Sequence, residues 1–164
     1  MDCRLATNVA PMSTDIAAAL QVALLRRGET VGCAESLTGG ELAALLSATP
    51  GASATFVGGV VSYATEVKRE LLRVTAGRVV SADCATQMAT GVRALLGVDW
   101  ALSTTGVAGP DRQEEQAVGT VYVGLAGPDG VHSGYFLIDG DRGAIRSSAC
   151  ARALELLLTE VSRG

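Results

Sequence analysis

The sequence predicts a three-layer α/β/α sandwich built on a mixed, mostly parallel sheet with a late β-hairpin. Three observations carry that expectation. Segments with apolar residues at helical spacing alternate with short apolar runs of the length of buried strands. The last two such runs are separated only by Gly127-Pro128-Asp129-Gly130, a turn of hairpin length. The chain has 164 residues, 48% of them hydrophobic and 18% charged, against about 25% charged in an average domain. That is enough apolar material for one sizeable core.

Residues 1–12 show no periodicity and read as a loose leader, leaving 13–164 as a single domain. Ser13 is placed to cap a first helix in which Ile16, Ala19, Leu20, Ala23 and Leu24 share a face, with Gly28 as its stop. Thr30 to Ala34 is a short buried strand. The turn Glu35-Ser36-Leu37-Thr38-Gly39-Gly40 then leads into the apolar helix that begins at Glu41. Phe56 to Tyr63 reads as a second strand, with Gly58-Gly59 marking a bulge or a close backbone approach. Thr65 to Leu72 is a short helix. Ser81 caps a longer one with Ala85, Met88, Ala89, Val92 and Leu96 as its apolar stripe, Asp83 in its first turn and Gly97 at its end. Trp100 to Thr105 is a third strand running into Thr105-Gly106-Val107-Ala108-Gly109-Pro110. The hairpin strands Val118–Ala126 and Val131–Ile138 follow, then a helix from about Asp141 to Val161.

Composition narrows the function classes. A net charge of -4 argues against a nucleic-acid or acidic-membrane surface. No apolar stretch approaches the roughly 18 to 20 residues that span a bilayer, and the first residues lack the pattern of a signal peptide. A cytoplasmic protein is expected. His132 is the one histidine, and Cys3, Cys33, Cys84 and Cys150 lie far apart. No zinc finger, His-rich metal site or Ser-His-Asp triad can be assembled from that set. The cysteines read as buried small hydrophobes and His132 as structural.

Ligands in open α/β sheets bind beyond the carboxyl ends of the strands, and three turns follow strands here. Ser36, in a tight strand-to-helix turn, can present its hydroxyl while Thr38, Gly39 and Gly40 turn amides toward an anion. It can equally be a helix cap. Without a usable histidine, Lys68 is the residue able to take a proton from that serine, once burial lowers its pKa, with Tyr63 to orient or relay. The alternative is a solvated lysine pairing with Glu66 or Glu70. Thr105 and Gly106 open a loop able to cradle a phosphate or carboxylate, or a plain turn. Arg142 and Arg146 share a face at the start of the last helix, where cations oppose the macrodipole. An anion between them, from a ligand or from Asp139 and Asp141, would explain the pair.

Taken in order, Glu35-Ser36-Leu37-Thr38-Gly39-Gly40, Pro50-Gly51-Ala52-Ser53, the run Phe56 to Tyr63 with Lys68, Thr105 to Pro110, and Gly140-Asp141-Arg142 with Arg146 resemble the CinA C-terminal domain family. That family is similar to bacterial nicotinamide mononucleotide (NMN) deamidase, which gives nicotinic acid mononucleotide and ammonia in pyridine nucleotide recycling. The resemblance implies an amidohydrolase without metal or other cofactor. It implies Ser36 as nucleophile, Lys68 as base, Tyr63 as its partner, and a ligand site lined by Thr105 and Arg146, with Arg142 near it. Many members continue the Ala-Gly-Pro segment with a Gly-Gly stretch and a Lys-Pro pair. Here it reads Asp111-Arg112-Gln113-Glu114-Glu115-Gln116-Ala117, so a phosphate bound there would meet different electrostatics. The separate nucleotide-processing domain of longer members is not in this sequence, and its metal-dependent activity is not carried over. NMN is thus the expected small-molecule partner, with no nucleic acid or membrane, and with self-association into a homo-oligomer. Two other readings stay open: a non-catalytic nucleotide-binding module associated with competence or DNA damage, and an amidase for another small carboxamide.

Overall fold

A computed structural model describes residues 9–164, with side chains from Met12 onward. Its elements in chain order are α1 (Val9–Arg27), β1 (Val31–Glu35), α2 (Glu41–Ser47), a 3₁₀ turn (Ala52–Ala54), β2 (Phe56–Val61), α3 (Thr65–Leu72), α4 (Ala82–Leu96), β3 (Trp100–Gly106), β4 (Thr120–Gly127), β5 (Gly130–Leu137) and α5 (Arg142–Arg163). The strands form one sheet in the order β2-β1-β3-β4-β5. β1 runs parallel to both β2 and β3, β4 is antiparallel to β3, and β5 is antiparallel to β4. Only β4 therefore opposes the common direction, as a mixed, mostly parallel sheet requires.

The predicted start of α1 needs correcting. The described helix covers Val9–Arg27, so residues 9–12 are helical and Ser13 lies inside the helix, 2% exposed. The buried face is also rotated: Ala17, Leu20, Gln21 and Leu24 point inward and Ala19 is exposed. The rest of the expected leader, with Cys3, lies outside the described residues.

Elsewhere local chemistry sets the boundaries. The Ser81 hydroxyl accepts the Cys84 amide at 3.1 Å to cap α4, and Gly97 ends it in the left-handed region at φ 63°. The register of β1 on β2 slips between Val31 and Gly32, which pair with Phe56 and Gly58. That is the predicted bulge, and it leaves Val57 unmatched. The hairpin closes through Gly127 and Gly130.

Helices α1, α2 and α5 cover one face of the sheet over Val31, Cys33, Leu102, Val121, Val123 and Leu125. Helices α3 and α4 cover the other, where Cys84, Met88, Ala89 and Val92 pack on Ala34, Ala101 and Ala126. Burying each large side chain contributes about 1.5–3 kcal/mol. α3 and α4 touch closely at Gly91, where an added Cβ would stand 2.1 Å from the Leu72 carbonyl oxygen. That contact seats α3, and with it Lys68, against the sheet. Cys33 and Cys150 have their thiol pKa values pushed up by burial, and that of Cys84 reaches about 11. All three are buried free thiols, as expected. No helix among the described residues is long and apolar enough to cross a membrane.

Candidate active site

The carboxyl ends of the parallel strands β1, β2 and β3 point to the same end of the sheet, and a cavity of about 180 Å³ opens there. Ser36, Leu37, Tyr63, Lys68, Val79, Val80, Thr105 to Gly109, Asp111, Gln113 and Arg142 are among its lining residues.

Ser36 follows the last residue of β1, and its amide donates to the Thr104 carbonyl at 3.0 Å, continuing the β1–β3 ladder by one step. It is not a helix cap. That task falls to the wholly buried Glu35, whose carboxylate accepts the Leu42 and Ala43 amides at 2.8 and 3.1 Å. A negative charge on the first turn of α2 satisfies amides without helical partners. The backbone turns over through Gly39 and Gly40 at φ 57° and 105°, a conformation that favours glycine. With Glu35 capping α2, the Ser36 hydroxyl is left to face Lys68.

Lys68 is 1% exposed. Its Nζ donates to the Ser62 carbonyl at 2.6 Å and the Tyr63 carbonyl at 3.1 Å, and lies 2.9 Å from Ser36 Oγ. That satisfies the distance of about 3.2 Å expected of a working pair, and it removes the solvated-lysine alternative. No carboxylate stands within ion-pair distance of Lys68 among the described residues. Burial therefore lowers the pKa of this lysine, with Cys84, Glu114 and Glu66 opposing the shift electrostatically. Three oxygens suit either protonation state. The ammonium has three N–H groups to give, while the neutral amine keeps two for the carbonyls and turns its lone pair to the Ser36 hydroxyl.

Several other expected roles change. The Tyr63 phenol is not Lys68's partner. The carbonyl of that residue is, while its ring stands 57% exposed at the rim and its hydroxyl accepts Arg142 at 2.9 Å. Arg142 also donates to the Gly109 carbonyl at 2.7 Å, so it bridges the cavity mouth. Arg146 does not line the cavity. Its guanidinium donates to the Leu37 and Thr38 carbonyls at 3.0 Å each and fixes the turn after Ser36 from behind. Neither arginine needs an anion between them. Asp141 instead caps α5 by accepting the Ala144 amide at 2.9 Å.

Thr38 is buried with its hydroxyl 2.7 Å from that of Thr104. Gly39 turns its amide to the Ser36 carbonyl at 3.1 Å. Thr38, Gly39 and Gly40 thus shape the turn and lie outside the cavity lining. Thr105 does line the cavity, yet its hydroxyl donates to the Val79 carbonyl. Gly106 lies where a Cβ would meet the Thr120 carbonyl oxygen at 2.4 Å, so close packing on β4 accounts for that glycine. His132 is exposed on β5, away from the cavity.

Sequence reasoning missed the structural part of Glu35 and the cavity wall formed by Val79 and Val80. The signal for Glu35 was a charge ending a wholly apolar strand. For Val79 and Val80 it was their place just before the capping serine of α4.

The family model of the CinA C-terminal domain matches residues 13–161. The chain belongs to the CinA C-terminal domain family. A CinA-like protein of Frankia casuarinae is 50% identical over 139 residues, 82% of this chain and 32% of the relative. One from Synechocystis is 47% identical over 153 residues, 87% of this chain and 37% of the relative. The chain thus spans about a third of the length of the curated relatives it matches. Among solved structures, a CinA superfamily protein from Klebsiella pneumoniae superposes with a TM-score of 0.89 at 31% identity, covering 93% of this chain and 99% of that one. The competence/damage inducible protein CihA of Agrobacterium tumefaciens gives 0.85 at 32%, covering 90% and 94%. The CinA fold and family are established by these likenesses.

Proposed function

We propose that this CinA domain is an amidohydrolase that converts NMN to nicotinic acid mononucleotide and ammonia by a serine–lysine mechanism. The observation that carries the reading is the buried Lys68, without a carboxylate partner, 2.9 Å from Ser36 Oγ. Neutral Lys68 takes the hydroxyl proton as Ser36 Oγ bonds to the carboxamide carbon. The oxyanion is met by amides along the cavity wall, with Leu37 beside Ser36 and Ala108 and Gly109 opposite. Lys68 returns the proton to the amide nitrogen, the C–N bond breaks and ammonia leaves. Water, deprotonated by Lys68, then cleaves the acyl-Ser36 ester to release the acid. Arg142 at the mouth supplies positive charge for the ligand's phosphate, in exchange for its present carbonyl and phenol acceptors.

Mass spectrometry and ammonia release from purified protein incubated with NMN test the reading, with formation of the acid expected. Wild-type rates from Ser36→Ala or Lys68→Met protein overturn the mechanism. The cavity volume favours a second reading. At about 180 Å³ it is smaller than the roughly 300–1,000 Å³ that holds a whole drug-sized ligand, which suits a smaller carboxamide. A panel of amides alongside NMN separates the two.

Self-association fits the outer strand β5, which exposes Val131, Tyr135 and Leu137 beside an unpaired strand edge. Sedimentation showing a monomer at all accessible concentrations removes that part of the proposal.

A further inference from the structure

The loop in which this chain departs from its resembled family does something specific at the cavity wall. Gln113 and Gln116 close a tight turn through a Gln116 amide to Gln113 carbonyl bond of 2.8 Å, and Glu114 and Glu115 between them have φ 49° and 64°. Two successive left-handed residues make a turn in which Asn and Gly are at home and Glu is not. The conformation delivers the Glu114 carboxylate to two adjacent amides, accepting from Val79 at 2.9 Å and from Val80 at 2.9 Å. Both valines line the cavity that holds Ser36 and Lys68. The Val79 carbonyl is taken as well, by the Thr105 hydroxyl, so the wall is fixed from both sides.

Paired backbone N–H groups are a receptor for a carboxylate or phosphate oxygen. Here an internal carboxylate already fills that receptor and sets a negative charge behind the wall, near enough to act electrostatically on Lys68. A neutral carboxamide loses little by this. An entering carboxylate finds the two amides taken and a like charge behind them.

We propose that Glu114 is a specificity-determining residue: by occupying the Val79 and Val80 amides it sets the cavity for an uncharged carboxamide head and turns away the corresponding carboxylate. The inference rests on the amidohydrolase reading for the identity of the two ligands. Its consequence there is weak retention of the acid product.

The test is titration calorimetry of NMN and of nicotinic acid mononucleotide into Ser36→Ala protein, which cannot turn the amide over. The same titrations are made after adding Glu114→Ala, Glu114→Gln or Glu115→Ala. Glu114→Ala frees both amides and is expected to tighten the acid about five- to tenfold relative to the amide, on the scale of one net hydrogen bond. Glu114→Gln, able to accept only one of the two amides, is expected to fall between. Glu115 has a side chain 91% exposed, so Glu115→Ala removes the same charge one residue away and is expected to leave the ratio unchanged. Equal weakening of both ligands in Glu114→Ala, an unchanged ratio, or the same change in Glu115→Ala overturns the proposal. Absence of ammonia release from unmodified protein overturns the amidohydrolase reading instead, and the affinity ratio is measured either way.

Discussion

At the amino ends of the strands the Arg27 guanidinium meets the Glu29 carboxylate at 2.7 Å, and Glu29 also accepts the Trp100 indole N–H at 2.7 Å. At the carboxyl ends, Lys68, Arg142 and Arg146 donate instead to carbonyl oxygens and to the hydroxyls of Ser36 and Tyr63. The first end neutralises its cation within the fold. The second holds its cations on neutral oxygens, with no carboxylate in ion-pair contact among the described residues. Carbonyl dipoles hold a cation without cancelling it, so the charge remains available to a lysine's proton chemistry or to an anionic ligand. An ion pair and a cradle of neutral oxygens, similar as contacts, thus prepare a cation for different work.

The sharpest way to break this contrast is at Lys68. Lys68→Met and Ser36→Ala are each expected to lower kcat by on the order of 10⁴- to 10⁶-fold, as for groups that act as one unit, with the double variant no worse than either single one. Steady-state ammonia release measures it, and additive losses would show that the two act separately. Desolvation holds the Lys68 pKa below its ordinary 10.5, so kcat/KM is expected to rise with pH through that lowered value. Stability has a related signature. Between the lowered pKa and 10.5 the unfolded chain binds a proton at Lys68 that the folded one does not, so unfolding free energy contributed by this group rises with pH across that window. Denaturant titrations are expected to show that slope in the native protein and to lose it in Lys68→Met.

Smaller effects separate the two arginines. Arg142→Gln removes the bridge over the mouth and is expected to raise KM for NMN about 10- to 100-fold, with little change in melting temperature because the residue is exposed. Arg146→Ala is expected to do the opposite. Loss of its bonds to the Leu37 and Thr38 carbonyls costs about 2 kcal/mol of stability, about 4–8 °C in a chain of this size, and lowers kcat by loosening the turn that aims Ser36. A KM effect in Arg146→Ala that exceeds its kcat effect would contradict the placement.

These two residues also mark where the sequence stops being legible. α3 and α4 are readable because capping and stop residues act locally: Ser81, Gly97 and the amphipathic Thr65–Leu72 need no tertiary knowledge. Ser36 and Lys68 are readable as a pair because the chain offers so few other proton acceptors. Arg142 and Arg146 look alike in sequence, four residues apart on one helix, and only the packing of α5 across α2 and the Gly109 loop sends one to the mouth and the other behind the turn. The direction of Tyr63 and the destination of the Glu114 carboxylate are long-range facts of the same kind. So is the placement of Glu35, whose carboxylate finds amides seven and eight residues further on.

The smallest effect belongs to the neutralised end. Glu29→Gln removes the carboxylate that pairs with Arg27 while keeping an oxygen for the Trp100 indole. The Glu29 pKa is lowered, chiefly by its hydrogen bond from Arg27, with desolvation opposing that shift. That direction means the pair's contribution is present above the unfolded pKa of the carboxylate and is lost as pH falls through the lowered value. Both side chains remain partly exposed, so solvent screening keeps the contribution small. Glu29→Gln is therefore expected to leave kcat and KM unchanged, to cost no more than a few degrees in melting temperature at neutral pH, and to match the native protein in acid. A loss of turnover comparable to that of Arg146→Ala would mean that charge at the amino ends reaches the cavity through the sheet, and that the two ends are not independent.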